Sequence, residues 1–172
     1  MATTLRGDDN FDTAIAQKAV VQTHVATASS QTSNASTITN ITGLSAAITP
    51  STSSKKVKIT VRWSGEFSSI AAYESMYGIR RGSTVIGNPD AAGNRQVGMS
   101  TVAISFHSNA STTQDSAFYV YIDSPSTTSA TTYYATHVNW IAGTLYNNRT
   151  VEDANSSGRE RLTSSIILEE VD

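Results

Sequence analysis

The chain reads as an all-β protein, an antiparallel β-sandwich of jelly-roll type behind an extended N-terminal arm. Three observations predict this. Val57, Ile59, Val61 and Trp63 alternate with Lys56, Lys58, Thr60 and Arg62, the period of a strand with one buried and one wet face. Before them, Gly43, Pro50 and the polar Ser51–Ser54 turn punctuate short apolar runs, the pattern of consecutive antiparallel strands. Similar runs recur along the chain between Gly, Pro, Asn and Ser turn signals, without a fixed-period repeat.

Residues 1–19 differ from the rest. Asp8, Asp9, Asn10 and Asp12 cluster around Phe11, Ala14–Ala19 could form one or two helical turns, and no alternating strand begins before Val20. We read an attachment arm at 1–19, against the alternative of a frayed terminus, and a sandwich domain at 20–172. Val20–Thr27 predicts a strand and polar Ser29–Ser36 a loop. In Ser36–Thr42, Ile38 and Ile41 fall on opposite faces, so a bulge or a bend is expected near Asn40; the strand resumes at Ala46–Thr49. Phe67–Tyr77 fits a short helix or an aromatic-packed loop. Tyr77–Gly87 reads as a hairpin turning at Arg81–Ser83, and Asn88–Gly93 as a loop. Strands are expected at Val97–His107, at Ala117–Asp123 (Phe118, Val120 and Ile122 on one face, Tyr119 and Tyr121 on the other), at Thr131–Ile141, and briefly at Leu145–Thr150. Loops are expected at Asn109–Gln114 and Ser124–Ala130. After polar Glu152–Gly158, Leu162, Ser164, Ile166 and Leu168 mark the closing strand.

Composition bounds the function. The 172 residues suffice for one domain with a real core. Charged residues make up 15%, and their place is taken by Ser and Thr, which suit pleated surfaces and turns. A net charge of −2 offers no footprint for nucleic acid, and no run of apolar residues is long enough for a membrane helix. The absence of cysteine excludes disulfides, thiolate metal sites and cysteine nucleophiles.

Three stretches carry a resemblance: Ile41–Val61, Arg80–Arg95 and Tyr121–Tyr134. In order and spacing they resemble a sandwich domain of tailed-bacteriophage virion proteins, found in head-decorating proteins and tail fibres. Leu5–Ala14 looks like the segment that introduces this domain, and Leu162–Val171 like its closing strand. The resemblance implies a protein on the exterior of the phage particle, commonly a homotrimer. Met1 directly precedes the arm, without the anchor and shaft of a fibre, which favours a copy bound to the shell. The expected function is therefore a capsid decoration or cement protein, its partner the major capsid protein or another virion protein. Leu5, Arg6, Asp8, Asp9, Phe11 and Asp12 are the expected attachment residues, Phe11 the apolar anchor within a polar rim. The alternative is a tail-fibre or receptor-binding knob gripping host glycan, with Tyr119, Tyr121 and Tyr133 as sugar contacts, Tyr134 and Trp140 as further aromatics able to stack on sugar rings if exposed, and loops such as Asn88–Arg95 and Ser124–Thr131 gathered at one end.

Catalytic signals are weak, and we expect no enzyme, cofactor or metal. His24, His107 and His137 form no metal-spaced pair and read as surface or interface residues. No GxSxG turn or phosphate-binding glycine loop occurs. Glu66 and Glu74 could be imagined as a glycosidase pair, and Asp8, Asp9, Asn10 and Asp12 as calcium ligands; solvated carboxylates and subunit contacts are the simpler readings. Arg6–Gly7–Asp8 and the sequons at Asn34, Asn40, Asn109, Asn148 and Asn155 are matches that this composition produces by chance.

Overall fold

The structure, a computed structural model, describes residues 19–68, 74–91, 93–102 and 112–172. Eleven strands are found among them: β1 (Val20–Val25), β2 (Ser29–Ser33), β3 (Thr39–Ile48), β4 (Lys56–Phe67), β5 (Met76–Arg81), β6 (Thr84–Ile86), β7 (Ser100–Thr101), β8 (Asp115–Asp123), β9 (Thr131–Val138), β10 (Gly143–Asn147) and β11 (Ser164–Val171). They form two antiparallel sheets packed face to face. The first runs β1–β11–β4–β10–β2, with β8 on β4; the second runs β3–β9–β5–β6, with β7 on β5.

Several of these strands are pieces of longer ones. β8 pairs with Val57–Gly65 along one edge of β4. The opposite edge carries β11 over Lys56–Arg62 and then β10 over Gly65–Phe67, end to end and running the same way. β1 lies against β11 and β2 against β10, so they too are collinear, broken only at residues 26–28. Likewise β6 and β7 share one edge of β5. With the pieces joined, the lanes in chain order are β1–β2, β3, β4, β5, β6–β7, β8, β9 and β10–β11. The first sheet then reads one, eight, three, six and the second two, seven, four, five, which is jelly-roll topology.

The core follows the alternation expected of β4. Val57, Ile59, Val61 and Trp63 have no exposed surface, and Ile166 and Leu168 of β11 meet Ile79, Tyr133 and Ala135 of the facing sheet in the same cluster. Trp63 stacks on Tyr77 with ring centroids 4.6 Å apart, and its Nε1–H donates to Asn147 Oδ1 at 2.8 Å. Beyond Trp63 both faces of β4 are covered, since Ser64, Gly65, Glu66 and Phe67 are all buried. The expected bulge is present: Ile41–Leu44 of β3 stand against Ala135 alone, and Gly43 supplies a φ of 78° there.

Some expectations need correction. Ser29–Ser33 is a strand, not a loop; it is an outer lane bonded through its backbone, so it shows no hydropathy period. The strand expected at Thr131–Ile141 stops at Val138. Of the one expected at Val97–His107, only Ser100–Thr101 is strand among the described residues, and 103–107 lie outside them. The arm at 1–18 lies outside the described residues, as do 69–73 of the segment read as a helix or loop at Phe67–Tyr77; Phe67 instead ends β4, and Met76 and Tyr77 begin β5.

Gly65 sits where β10 comes closest to β4. A Cβ there would lie 2.0 Å from the Tyr146 carbonyl oxygen and 2.6 Å from the Trp63 ring. We expect Gly65→Ala to destabilise the fold by at least about 3 kcal/mol, because backbone rather than a pliable side chain must give way. Urea unfolding followed by Trp63 fluorescence measures this; a loss under about 1 kcal/mol would show that β10 can shift freely.

Candidate functional site

Among the described residues, four of the five exposed large hydrophobic side chains, Val20, Phe118, Val120 and Ile122, lie on the outer face of the first sheet. In β8 the faces divide as expected, but it is Phe118, Val120 and Ile122 that point away from the core. They are 64%, 44% and 54% exposed, whereas Ala117 and Tyr119 are buried. Three consecutive outward positions on one strand make a continuous stripe rather than scattered residues. Across the ladder Phe118 is level with Arg62 and His24, Val120 with Thr60 and Ile167, and Ile122 with Lys58 and Val20, which is itself 61% exposed. The stripe is thus bordered by basic side chains of β4, and Lys58 is paired with Glu169 at 2.7 Å.

The tyrosines expected to meet sugar do not form an exposed platform. Tyr133 is fully buried and Tyr119 nearly so, while Tyr121 packs partly buried against the core. The hydroxyls of Tyr119 and Tyr133 are engaged inside. Tyr119 donates to the Gly78 carbonyl at 2.9 Å, and Tyr133 to Asp123 Oδ2 at 2.7 Å, where Arg81 Nη1 also binds both carboxylate oxygens. Burial raises both phenols further above their ordinary range. Alternation sets Tyr119 on the same face as the buried Ala117, toward the opposite sheet, and its more apolar neighbours Phe118 and Val120 on the other face.

The histidines separate. His24 is exposed, and His107 lies outside the described residues. His137 is not at a surface: it is fully buried, with Ser33 Oγ 3.1 Å from Nδ1 and Ser75 Oγ 3.1 Å from Nε2, and Phe67 and Tyr77 against its ring. Burial lowers its pKa to about 4, so it is a neutral bridge between sheets at neutral pH.

Glu66 and Glu74 have separate partners. Glu66 points to the outer face of β4 yet is only 1% exposed, because the segment 148–163 between β10 and β11 folds over it. Its Oε2 accepts the Val151 N–H at 2.6 Å, while Oε1 has no partner. Burial pushes its pKa up to about 7; the Val151 N–H opposes this, and Asp115 and Glu160 reinforce it. Burial also pushes Asp115 up to about 6. The segment is tied down at its root. Asn148 N–H reaches the Ser64 carbonyl at 2.8 Å, Ser164 Oγ–H donates to Asn148 Oδ1 at 2.7 Å, and Asn148 Nδ2 donates to the Val25 and Thr27 carbonyls. The Asn148 sequon is therefore buried in the fold. Among the described residues no three His, Asp or Glu side chains gather as a metal site.

Glu74 instead accepts a hydrogen bond from Trp140 Nε1, at the rim of a cleft of about 480 Å³ that Asn94, Arg95 and Gln96 also line. Sequence reasoning placed Trp140 in a strand. It lies past the end of β9, 55% exposed. The loops Asn88–Arg95 and Ser124–Thr131 do not gather at one end. The cleft adjoins Met76, where β5 begins, whereas Ser124 lies against Arg81, where β5 ends. The proposed attachment residues Leu5, Arg6, Asp8, Asp9, Phe11 and Asp12, and the calcium reading of the same cluster, fall outside the described residues.

The sequence matches no protein-family model, and no curated protein matches it significantly.

Burying Glu66 has a readable pH signature. Its folded pKa, about 7, lies above its ordinary 4.5, so the folded state holds the proton longer and stability falls as pH rises between those values. His137, lowered from 6.5 to about 4, acts in the opposite sense and masks the fall in the parent chain. Glu66→Gln keeps an acceptor for the Val151 N–H and removes the ionisation. Its stability relative to the parent should be unchanged near pH 4, increase steadily to about pH 7 and level off above it. Urea midpoints of both proteins from pH 4 to 8 test this; a difference independent of pH would mean the Glu66 carboxylate is solvated.

Proposed function

We propose that this chain is a structural protein of a bacteriophage particle, a decoration or cement protein that binds the outside of the capsid shell. The observation that carries the proposal is the Phe118–Val120–Ile122 stripe on the outer face of the first sheet. A soluble domain gains nothing from three large apolar side chains held in water, and such a patch marks a protein contact. The resemblance of Ile41–Val61, Arg80–Arg95 and Tyr121–Tyr134 to phage sandwich domains supplies the context, and jelly rolls serve viral capsids among other uses.

In this reading the stripe lies against a shell subunit, with Arg62 and Lys58 beside it as the polar rim. The arm, through Leu5, Arg6, Asp8, Asp9, Phe11 and Asp12, supplies a second attachment. Binding favours the expanded shell by mass action, opposing pressure from packed DNA. Trimeric association multiplies weak contacts through effective concentration. The protein acts mechanically, without catalysis or cofactor, and its partner is the major capsid protein.

Capsids stripped of accessory proteins provide the test. The full chain should coat them near stoichiometrically. Replacing Phe118, Val120 and Ile122 together by Ser should leave the fold intact and lower shell affinity at least a hundredfold, since burying each side chain is worth about 1.5–3 kcal/mol. A chain lacking residues 1–19 should also bind more weakly. If the full chain ignores shells, the decoration reading fails and the tail-fibre knob replaces it. If the triple variant binds like the parent, the stripe is not the contact.

A further inference from the structure

We propose that the cleft beside Trp140 binds a neutral pyranose unit of a polysaccharide. The proposal does not depend on shell binding. It rests on how Trp140 is mounted and on the groups that surround it.

Trp140 follows Asn139, which is fully buried. Asn139 Nδ2 donates to Ser75 Oγ at 3.1 Å, its Oδ1 accepts the Ile141 N–H at 3.0 Å, and its carbonyl accepts the Ser36 N–H at 2.7 Å. These bonds fix the backbone on both sides of the tryptophan. The indole Nε1–H is held by Glu74, so the ring itself is oriented. A side chain this large, 55% exposed on a rigid base, is a pre-organised flat surface whose binding loses little conformational entropy.

The surroundings select the ligand. The cleft, about 480 Å³, falls within the range of small-molecule sites. Its walls mix an aromatic plane with the Glu74 carboxylate, the Arg95 guanidinium, and the Asn94 and Gln96 amides. A purely apolar ligand would leave those polar groups poorly paired. Glu74 and Arg95 carry opposite charges, so the cleft has no net charge to recruit an anion such as phosphate or sialic acid. A neutral pyranose fits both halves of the site. Its C–H face covers the indole, and its hydroxyls donate to the carboxylate oxygens and exchange hydrogen bonds with the amides.

The position also suits an extended ligand. The cleft is open, and it lies where the segment joining β6 to β7 meets the end of β9, remote in the fold from the Arg81 end of β5. A sugar chain could therefore pass over the edge of the domain with one unit on Trp140.

The test uses the full chain labelled with ¹⁵N. It is titrated separately with maltotetraose, cellotetraose, chitotetraose, mannotetraose and 3′-sialyllactose, each to about 20 mM, a range that captures millimolar affinities. The two indole N–H signals report two places: Trp140 the cleft and Trp63 the core. At least one neutral tetrasaccharide should shift the Trp140 signal saturably and leave Trp63 still. Followed by the backbone N–H signals of Asn94, Arg95 and Gln96, which line the cleft, Trp140→Ala should weaken that binding at least tenfold and Trp140→Phe much less; the Trp63 signal certifies that each variant is folded. Glu74→Gln should weaken it about three- to tenfold, which tests the site even if Trp140→Ala does not fold. No shift with any neutral sugar, affinity unchanged by both Trp140→Ala and Glu74→Gln, or preference for sialyllactose would overturn the proposal.

Discussion

Everything in this domain is arranged around β4, whose twelve residues must satisfy backbone hydrogen bonds along two edges. One edge is served by β8. The other exceeds the reach of any single partner, and it passes from β11 to β10 at Ser64. That joint is where ladders would ordinarily fail. Here Asn148 and Ser164 fill the gap: the Asn148 N–H takes the Ser64 carbonyl, and Ser164 Oγ accepts the Ser64 N–H at 3.0 Å. Asn148 Nδ2 then reaches across to the break between β1 and β2. A handful of small polar side chains thus lets two interrupted lanes behave as continuous strands. Trp63, one residue before the joint, packs beneath it and bonds to Asn147 one residue away on the adjoining lane.

Joined in this way, the chain is a single long hairpin rolled upon itself. Lane one pairs with eight, two with seven, three with six and four with five. Nearly every stabilising pair therefore unites residues distant in sequence, the topology for which loop-closure entropy must be met before contacts reward it. The most local pair, the β5–β6 hairpin turning at Gly82–Ser83, lies at the opposite extreme from β1–β11, which joins the two ends of the domain.

The legible parts of the sequence were those with one face buried and the other wet. β4 up to Trp63, β11 and the bulge in β3 follow from alternation or its interruption. β2 was illegible because all five of its residues are polar. What it contributes is specific hydrogen bonding: Gln31 donates to the Asn40 carbonyl and accepts from the Thr42 N–H, bracing the β3 bulge across the sandwich. His137 looked like a surface residue because nothing in its neighbourhood announces Ser33 and Ser75, which tertiary packing brings to its two nitrogens. The stripe on β8 had a visible period, but period alone does not say which face turns to the core. There Tyr119 faces inward, its hydroxyl on the buried Gly78 carbonyl, while the more apolar residues are left outside. Trp140 was misplaced for a related reason: its aromatic character extended a strand that Asn139 in fact ends.

The segment 148–163 leaves the sheet in mid-lane and returns to the same lane, its two roots held together by the Ser164–Asn148 bond at 2.7 Å. A departure and return at one point decouples the exposed stretch Glu152–Gly158, beyond the Val151 bond to Glu66, from the fold. Chain-closure entropy rises only about 0.6 kcal/mol for each doubling of loop length. Residues around Asn155–Gly158 are exposed and touch none of the core, so they form a natural port for added sequence. A foreign peptide carried there would be presented from the outer face of the first sheet, while the strands on either side keep their register.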